Sequence, residues 1–242
     1  MSITPLEYGT SLILTIILLC VKFLTASYLG YKIYLRRKET GQFSLFSFIF
    51  SVFLLLICLF LSRLFYSIFD FVLTNLNPAL YHVNPNTFFW KIGVLISALG
   101  YGWVLFIVDR SILKFKFKGI FSYIIVLIAF IVFIFPVTSA SEFQLVSFLL
   151  FFINIIAIIL PILFLYIGKK AAEFKKPAYL IAVGVIIYAI GANILVETIV
   201  AALDSLLPGI RIVIYFLSLI FKISGLVLFS YAVINFVEIF SK

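Results

Sequence analysis

Charge is the first thing this sequence is short of: Asp, Glu, Lys and Arg make up 11% of 242 residues, where a soluble domain typically carries about a quarter. With 65% hydrophobic residues and a mean hydropathy of +1.31, that scarcity excludes a soluble globule and leaves a polytopic membrane protein whose first partner is the lipid bilayer. Cysteine occurs twice, at Cys20 and Cys58, each inside an apolar run, so neither a disulfide framework nor a Cys/His metal site is expected. The single histidine, His82, has no companion ligand and reads as an interfacial loop residue. There is no N-x-Ser/Thr sequon and no GxxxxGK, HExxH, GxSxG or GxGxxG, so the sequence implies no cofactor, no metal and no catalytic residue. A net charge of +9 would suit nucleic acid if it gathered on one face, but the charges sit in short loops, and no nucleic-acid partner is expected.

What is present is a set of long apolar runs. Hydropathy predicts seven helices in a single domain spanning 1–242, at about 8–31, 43–73, 88–108, 120–137, 143–167, 177–203 and 210–240. Each is long enough to cross a hydrocarbon core of ~30 Å, and the longest must tilt or project beyond it. The fold class expected is therefore an all-α, seven-transmembrane-helix bundle. The first segment lacks a basic leader region and is too long for a cleavable signal, so it is expected to be retained.

The basic residues fix the orientation. Lys32, Arg36, Arg37 and Lys38 follow the first segment, Arg110, Lys114, Lys116 and Lys118 the third, Lys169, Lys170, Lys175 and Lys176 the fifth, and Lys242 ends the chain. The alternate loops carry only Arg211. The positive-inside rule then predicts an outer N-terminus and a cytoplasmic C-terminus, in the cell membrane. The outer loop with Asn77-Pro78 and Asn84-Pro85 is turn-rich and is expected to fold back over the bundle. Tyr28-Leu-Gly30-Tyr-Lys32 resembles Tyr166-Ile-Gly168-Lys-Lys170, and Phe89-Trp90-Lys91-Ile92 resembles Ile220-Phe221-Lys222-Ile223. These matches suggest a 3+1+3 internal duplication; the alternative is that any two helices of like direction end in basic residues.

Ionisable residues inside such runs are functional-site hypotheses by default. Counted along their helices at 1.5 Å per residue, Arg63, Lys91, Glu197 and Lys222 share one layer in the outer half of the bilayer, each about 24 to 30 Å above its inner end. Asp70 lies two turns above Arg63. On segment seven Tyr215, Ser218, Lys222 and Gly225 form a polar or small stripe, and on segment six Ala189, Asn193 and Glu197 repeat every four residues. Glu197 with Lys222 is the first expected ion pair, and Asp70 with Lys91 the second. Surplus positive charge from Arg63, Lys91, Lys222 and Lys22, walled by Tyr66, Trp90 and Tyr215, would suit a small anionic or amphiphilic ligand. In the alternative, these groups are interhelical salt bridges that fix packing, with Lys22 and Lys91 snorkelling. Gly93, Ser97, Gly100, Gly102, Ala182, Gly184, Gly191 and Ala192 read as close-packing residues.

Lys222, within the last of seven helices, is similar to the retinal-binding lysine of microbial rhodopsins, but segment three offers Lys91 where a carboxylate counter-ion would stand, and position 218 is Ser. Asp109-Arg110 is similar to the Asp-Arg closing the third helix of G-protein-coupled receptors, without their outer-loop disulfide or Asn-Pro-x-x-Tyr. The 3+1+3 layout resembles the PQ-loop and SWEET transporters, without Pro-Gln. Over nearly the whole chain, topology, Arg63 with Asp70, Trp90-Lys91-Ile92-Gly93 and Asp109-Arg110 resemble the stand-alone seven-helix proteins common in archaea and the seven-helix sensor regions of membrane histidine kinases. That resemblance implies sensing, with any output domain supplied by a cytoplasmic signalling partner docked at the basic loops, where anionic lipid is the other candidate. A receptor-like sensor, a transporter or channel, and an accessory subunit all remain open, as does a homo-oligomer. An enzyme is not expected, because Glu197 and Asp70 lack a His, Ser or metal-ligand partner at a recognisable spacing.

Overall fold

Each apolar run becomes helix, because in hydrocarbon a backbone that does not satisfy its own N–H and C=O groups costs several kcal/mol per group. The computed structural model describes residues 4–41, 44–195, 197–207 and 209–240, side chains at 40, 154–157, 197–199, 201, 202 and 240 excepted. All regular structure among them is helical: α1 (Pro5–Thr40), α2 (Phe48–Ser67), α3 (Asn86–Ile107), α4 (Ile120–Ile134), α5 (Ala140–Lys170), α6 (Lys175–Asn193), α7 (Glu197–Leu206) and α8 (Ile210–Phe240). Six helices are long and apolar enough to cross a membrane, and α4, at 15 residues or about 22 Å, is a shorter apolar one. Apolar side chains such as Ile13, Phe23, Leu127, Phe148 and Val227 are exposed along these helices, the surface expected where lipid is the solvent.

The helix starts are written in the sequence. Thr4 and Glu7 form a capping box on α1, the Glu7 carboxylate accepting from Thr4 N and Oγ1 at 2.8 Å each. Ser139 and Glu142 do the same for α5, with Ser139 N donating to Glu142 Oε2 at 3.0 Å. Arg37 and Lys38 close α1, and Lys169 and Lys170 close α5, where cations meet the negative end of the helix dipole. One expectation needs correction. The sixth predicted segment is two helices: α6 ends at Asn193, whose Nδ2 donates to its own Ala189 carbonyl at 2.8 Å, and α7 starts at Glu197. Asn193 and Glu197 therefore do not continue one helical stripe. Pro161 lies inside α5, and Pro136 just beyond α4.

The helices α2 and α3 end alike. Each widens into a π-type turn, Ile68–Leu73 and Val108–Ile112. Two left-handed residues follow, Asn75 and Leu76 in one case, Lys114 and Phe115 in the other. Leu76 N then returns to the Asp70 carbonyl, and Phe115 N to the Asp109 carbonyl, both at 2.7 Å. The two ends thus close on an aspartate at the same place.

Backbone contacts group the chain into two units, Met1–Val21 with Leu160–Lys242, and Lys22–Ile159. In the first, α6 and α8 touch backbone to backbone. A Cβ on Gly225 would come within 2.5 Å of Tyr188 N, one on Gly184 within 2.7 Å of Phe229 N, and one on Gly191 within 2.9 Å of Lys222 N. Ser218 Oγ donates to the Gly191 carbonyl at 2.6 Å and completes the seam. In the second unit, Gly93 admits the Tyr66 ring, Gly100 admits Cys58, and Gly102 lets α4 approach at Val126. The glycines read from the sequence as packing residues do that work. Gly225→Ile should destabilise the protein by about 1–3 kcal/mol through the overpacked α6–α8 seam. Gly9→Ala, where nothing stands within 4 Å, should leave the thermal unfolding midpoint in detergent unchanged or slightly raised.

Candidate functional site

The ten residues singled out in the sequence divide between the two units. Arg63, Tyr66, Asp70, Trp90 and Lys91 belong to Lys22–Ile159; Asn193, Glu197, Tyr215, Ser218 and Lys222 belong to the other.

In Lys22–Ile159, Arg63 on α2 and Asp70 in the widened turn beyond it form an ion pair, Nη1 to Oδ2 at 3.8 Å. This distance is too long for a hydrogen bond, and the side chains are 22% and 24% exposed, so the pair can be reached. Asp70 therefore meets Arg63, not Lys91 as expected. The Lys91 ammonium donates to the Phe135 carbonyl at the end of α4, which places a cation on the negative pole of that helix. Lys22 is buried too, and its Nζ donates to the Leu59 carbonyl at 3.0 Å. Neither lysine reaches out to the surface. Tyr66 packs on Gly93, with its hydroxyl in reach of Ser62 and Ser97.

Trp90 is covered. Its ring centre lies 4.9 Å from that of Phe143, which also meets Tyr81 at 5.8 Å and Phe69 at 6.4 Å. The loop bearing Tyr81 is folded onto the end of the unit, as its turn residues suggested. Asn77 Oδ1 accepts from Ala79 N at 3.1 Å, Asn86 Nδ2 donates to Leu80 O at 2.9 Å, and Thr87 Oγ1 donates to Tyr81 O at 2.8 Å.

In the other unit, Ser218 is buried in the α6–α8 seam, so the stripe that includes Gly225 packs helix on helix rather than lining an opening. Tyr215 and Lys222 are half-buried on α8, and Asn193 is exposed with its amide engaged by Ala189. The Glu197 side chain, and with it the expected Glu197–Lys222 pair, lies outside the described residues, as does Lys242.

The sequence reading missed one charged cluster. Arg211, buried at the start of α8, meets Asp204 at 3.1 Å and Glu7 at 4.0 Å through Nε. Asp204 also accepts from Gly209 N at 3.1 Å, and Glu7 caps α1 with its second oxygen. The signal was available: Arg211 is the lone basic residue of the outer loops, and Thr4-x-x-Glu7 and Asp204 flank the same ends. Among the described residues no group of three or more His, Cys, Asp or Glu could hold a metal ion.

Compared with protein-family models, curated proteins and solved structures, the chain matches none.

Breaking a buried ion pair from one side strands the partner charge. Arg211→Ala should therefore lower stability by about 3 kcal/mol in detergent, with Arg211→Lys recovering part of it, whereas Asn193→Ala should cost under about 1 kcal/mol. Thermal unfolding of the three variants measures both.

Proposed function

We propose that this protein is a non-enzymatic, receptor-like module of the cell membrane that takes a small anionic or amphiphilic ligand at the Arg63–Asp70 pair. The observation that carries the proposal is the loose geometry of that pair, two partly exposed side chains whose charged atoms stand 3.8 Å apart on a helix of membrane-spanning length. A carboxylate or phosphate on a ligand can form the close, bidentate contact with the guanidinium that Asp70 does not. Asp70 sits in the widened turn whose main-chain carbonyl holds Leu76, so a ligand that draws its side chain away acts at the root of the following loop. This gives ligand binding a structural readout.

The basic ends of α1 and α5 and the basic loop after α3 support seven crossings with the N-terminus outside and the C-terminus inside. In that frame the Arg63–Asp70 pair faces outward, and the three basic clusters form the cytoplasmic face on which a signalling partner would dock. A transporter draws less support. Broken helices in transporters expose backbone near the bilayer midplane, but α6 covers about 28 Å before the chain breaks at Asn193, so the break lies at the far end of the crossing. An accessory subunit is favoured by a different observation, the use of Ser218, Gly225, Lys91 and Lys22 in packing.

Oleate, with oleyl alcohol as the uncharged control, separates these readings by native mass spectrometry. The sensor reading expects oleate to be retained, Arg63→Gln to weaken it by about tenfold, and Asp70→Asn to strengthen it by removing the internal competitor. Retention of oleate that ignores both substitutions, or equal retention of the alcohol, would favour the accessory subunit.

A further inference from the structure

A second feature stands apart from the Arg63–Asp70 pair. Between α3 and α4, at the end of α3 that carries the basic loop, runs an open cleft of about 690 Å3 lined by Leu99, Trp103, Phe106, Tyr123, Leu127 and Phe130 among others. That volume lies in the range of natural small-molecule sites, and the walls are almost wholly apolar. Gly102 sets the approach of the two helices at its back, where a Cβ would stand 2.9 Å from Val126 Cγ2.

The loop between the cleft residues Phe106 and Ile120 is basic and fixed in shape. Asp109, buried, accepts from Phe117 N at 2.9 Å and Gly119 N at 2.7 Å, tying the loop between α3 and α4 into a set turn. Lys114, Lys118 and Gly119 take left-handed backbone conformations in that turn. Arg110, Lys114, Lys116 and Lys118 are all exposed on it. The Arg110 guanidinium lies over the Phe46 ring at 4.7 Å, and Phe46 packs against Trp103 at 5.7 Å, so charge and cleft wall are joined by one aromatic bridge. The buried Trp103 indole N–H has no acceptor among the described residues.

We propose that this cleft seats one acyl chain of an anionic phospholipid, whose phosphate lies against the Arg110–Lys118 loop. Hydrocarbon walls exclude a free phosphate as the occupant, and the four cations at one end favour an anionic over a zwitterionic head group. The site does not depend on the proposed sensing role.

Native mass spectrometry of the whole protein, titrated with phosphatidylglycerol, phosphatidylcholine of the same chains and glycerol phosphate, tests it. Phosphatidylglycerol should be held about fivefold or more over phosphatidylcholine, the worth of one well-placed basic residue at a membrane surface, and glycerol phosphate should not be held. Leu127→Trp, which fills the cleft, should abolish the adduct, Lys116→Gln with Lys118→Gln should abolish the preference, and Arg63→Gln should change neither. A second measurement needs no cleft mutation. The chain has two tryptophans, so Trp90→Phe leaves Trp103 as the sole emitter, and phosphatidylglycerol with brominated chains should quench it more than brominated phosphatidylcholine. Equal retention of the two lipids, binding of glycerol phosphate that persists in Leu127→Trp, loss of the adduct in Arg63→Gln, or equal quenching would each overturn the proposal.

Discussion

In hydrocarbon there is no hydrophobic force to press one apolar helix against another, so the position of every helix depends on how closely two backbones can come together. Here that constraint is met at the α6–α8 seam, where Gly184, Gly191 and Gly225 leave no room for a Cβ and Ser218 hydrogen-bonds across to the Gly191 carbonyl. Gly93, Gly100 and Gly102 do the same for α3 against α2 and α4. The dispersion gained at such contacts replaces what a soluble core gains from expelling water.

The same scarcity of partners governs the polar side chains. A buried donor in a membrane helix must find an acceptor, and most acceptors nearby are main-chain carbonyls left weakly bonded at helix ends or beside small residues. Lys22 donates to Leu59, Lys91 to Phe135 and Ser218 to Gly191, all of them carbonyls. Carboxylates then remain for the arginines, Asp70 for Arg63, with Asp204 and Glu7 for Arg211. Planar guanidinium suits a carboxylate, while the compact ammonium has three rotatable donors that can each turn to a carbonyl.

This explains what was legible in the sequence and what was not. The apolar runs located the helices because hydropathy is a property of each segment alone. It could not reveal the break after Asn193, since Ile194 and Leu195 are as apolar as their neighbours. Counting residues gave Arg63 and Lys91 a depth, but depth along an axis says nothing about which way a side chain turns. The expected Asp70–Lys91 pair failed on that point, because a backbone carbonyl such as that of Phe135 carries no mark in the sequence. Of the two readings open for the Ser218–Gly225 stripe, these two residues follow the packing one, against another helix.

The two aspartates that end α2 and α3 show what turns a structural residue into a candidate site. Both accept at their own carbonyl a 2.7 Å bond from the residue six positions on, the second of two left-handed residues after a widened turn. Their carboxylates differ because the following chain differs. Beyond Asp109 the loop curls back and offers Phe117 and Gly119 N–H groups, so the carboxylate is fully engaged and the loop is rigid. Beyond Asp70 the chain turns instead toward its own cluster of Asn77, Tyr81, Asn86 and Thr87, whose hydrogen bonds close among themselves. Asp70 is left to a guanidinium at 3.8 Å, an interaction loose enough to be exchanged. A carboxylate held by two backbone N–H groups builds a loop, whereas one held at arm's length by a single side chain can give way to a competing anion.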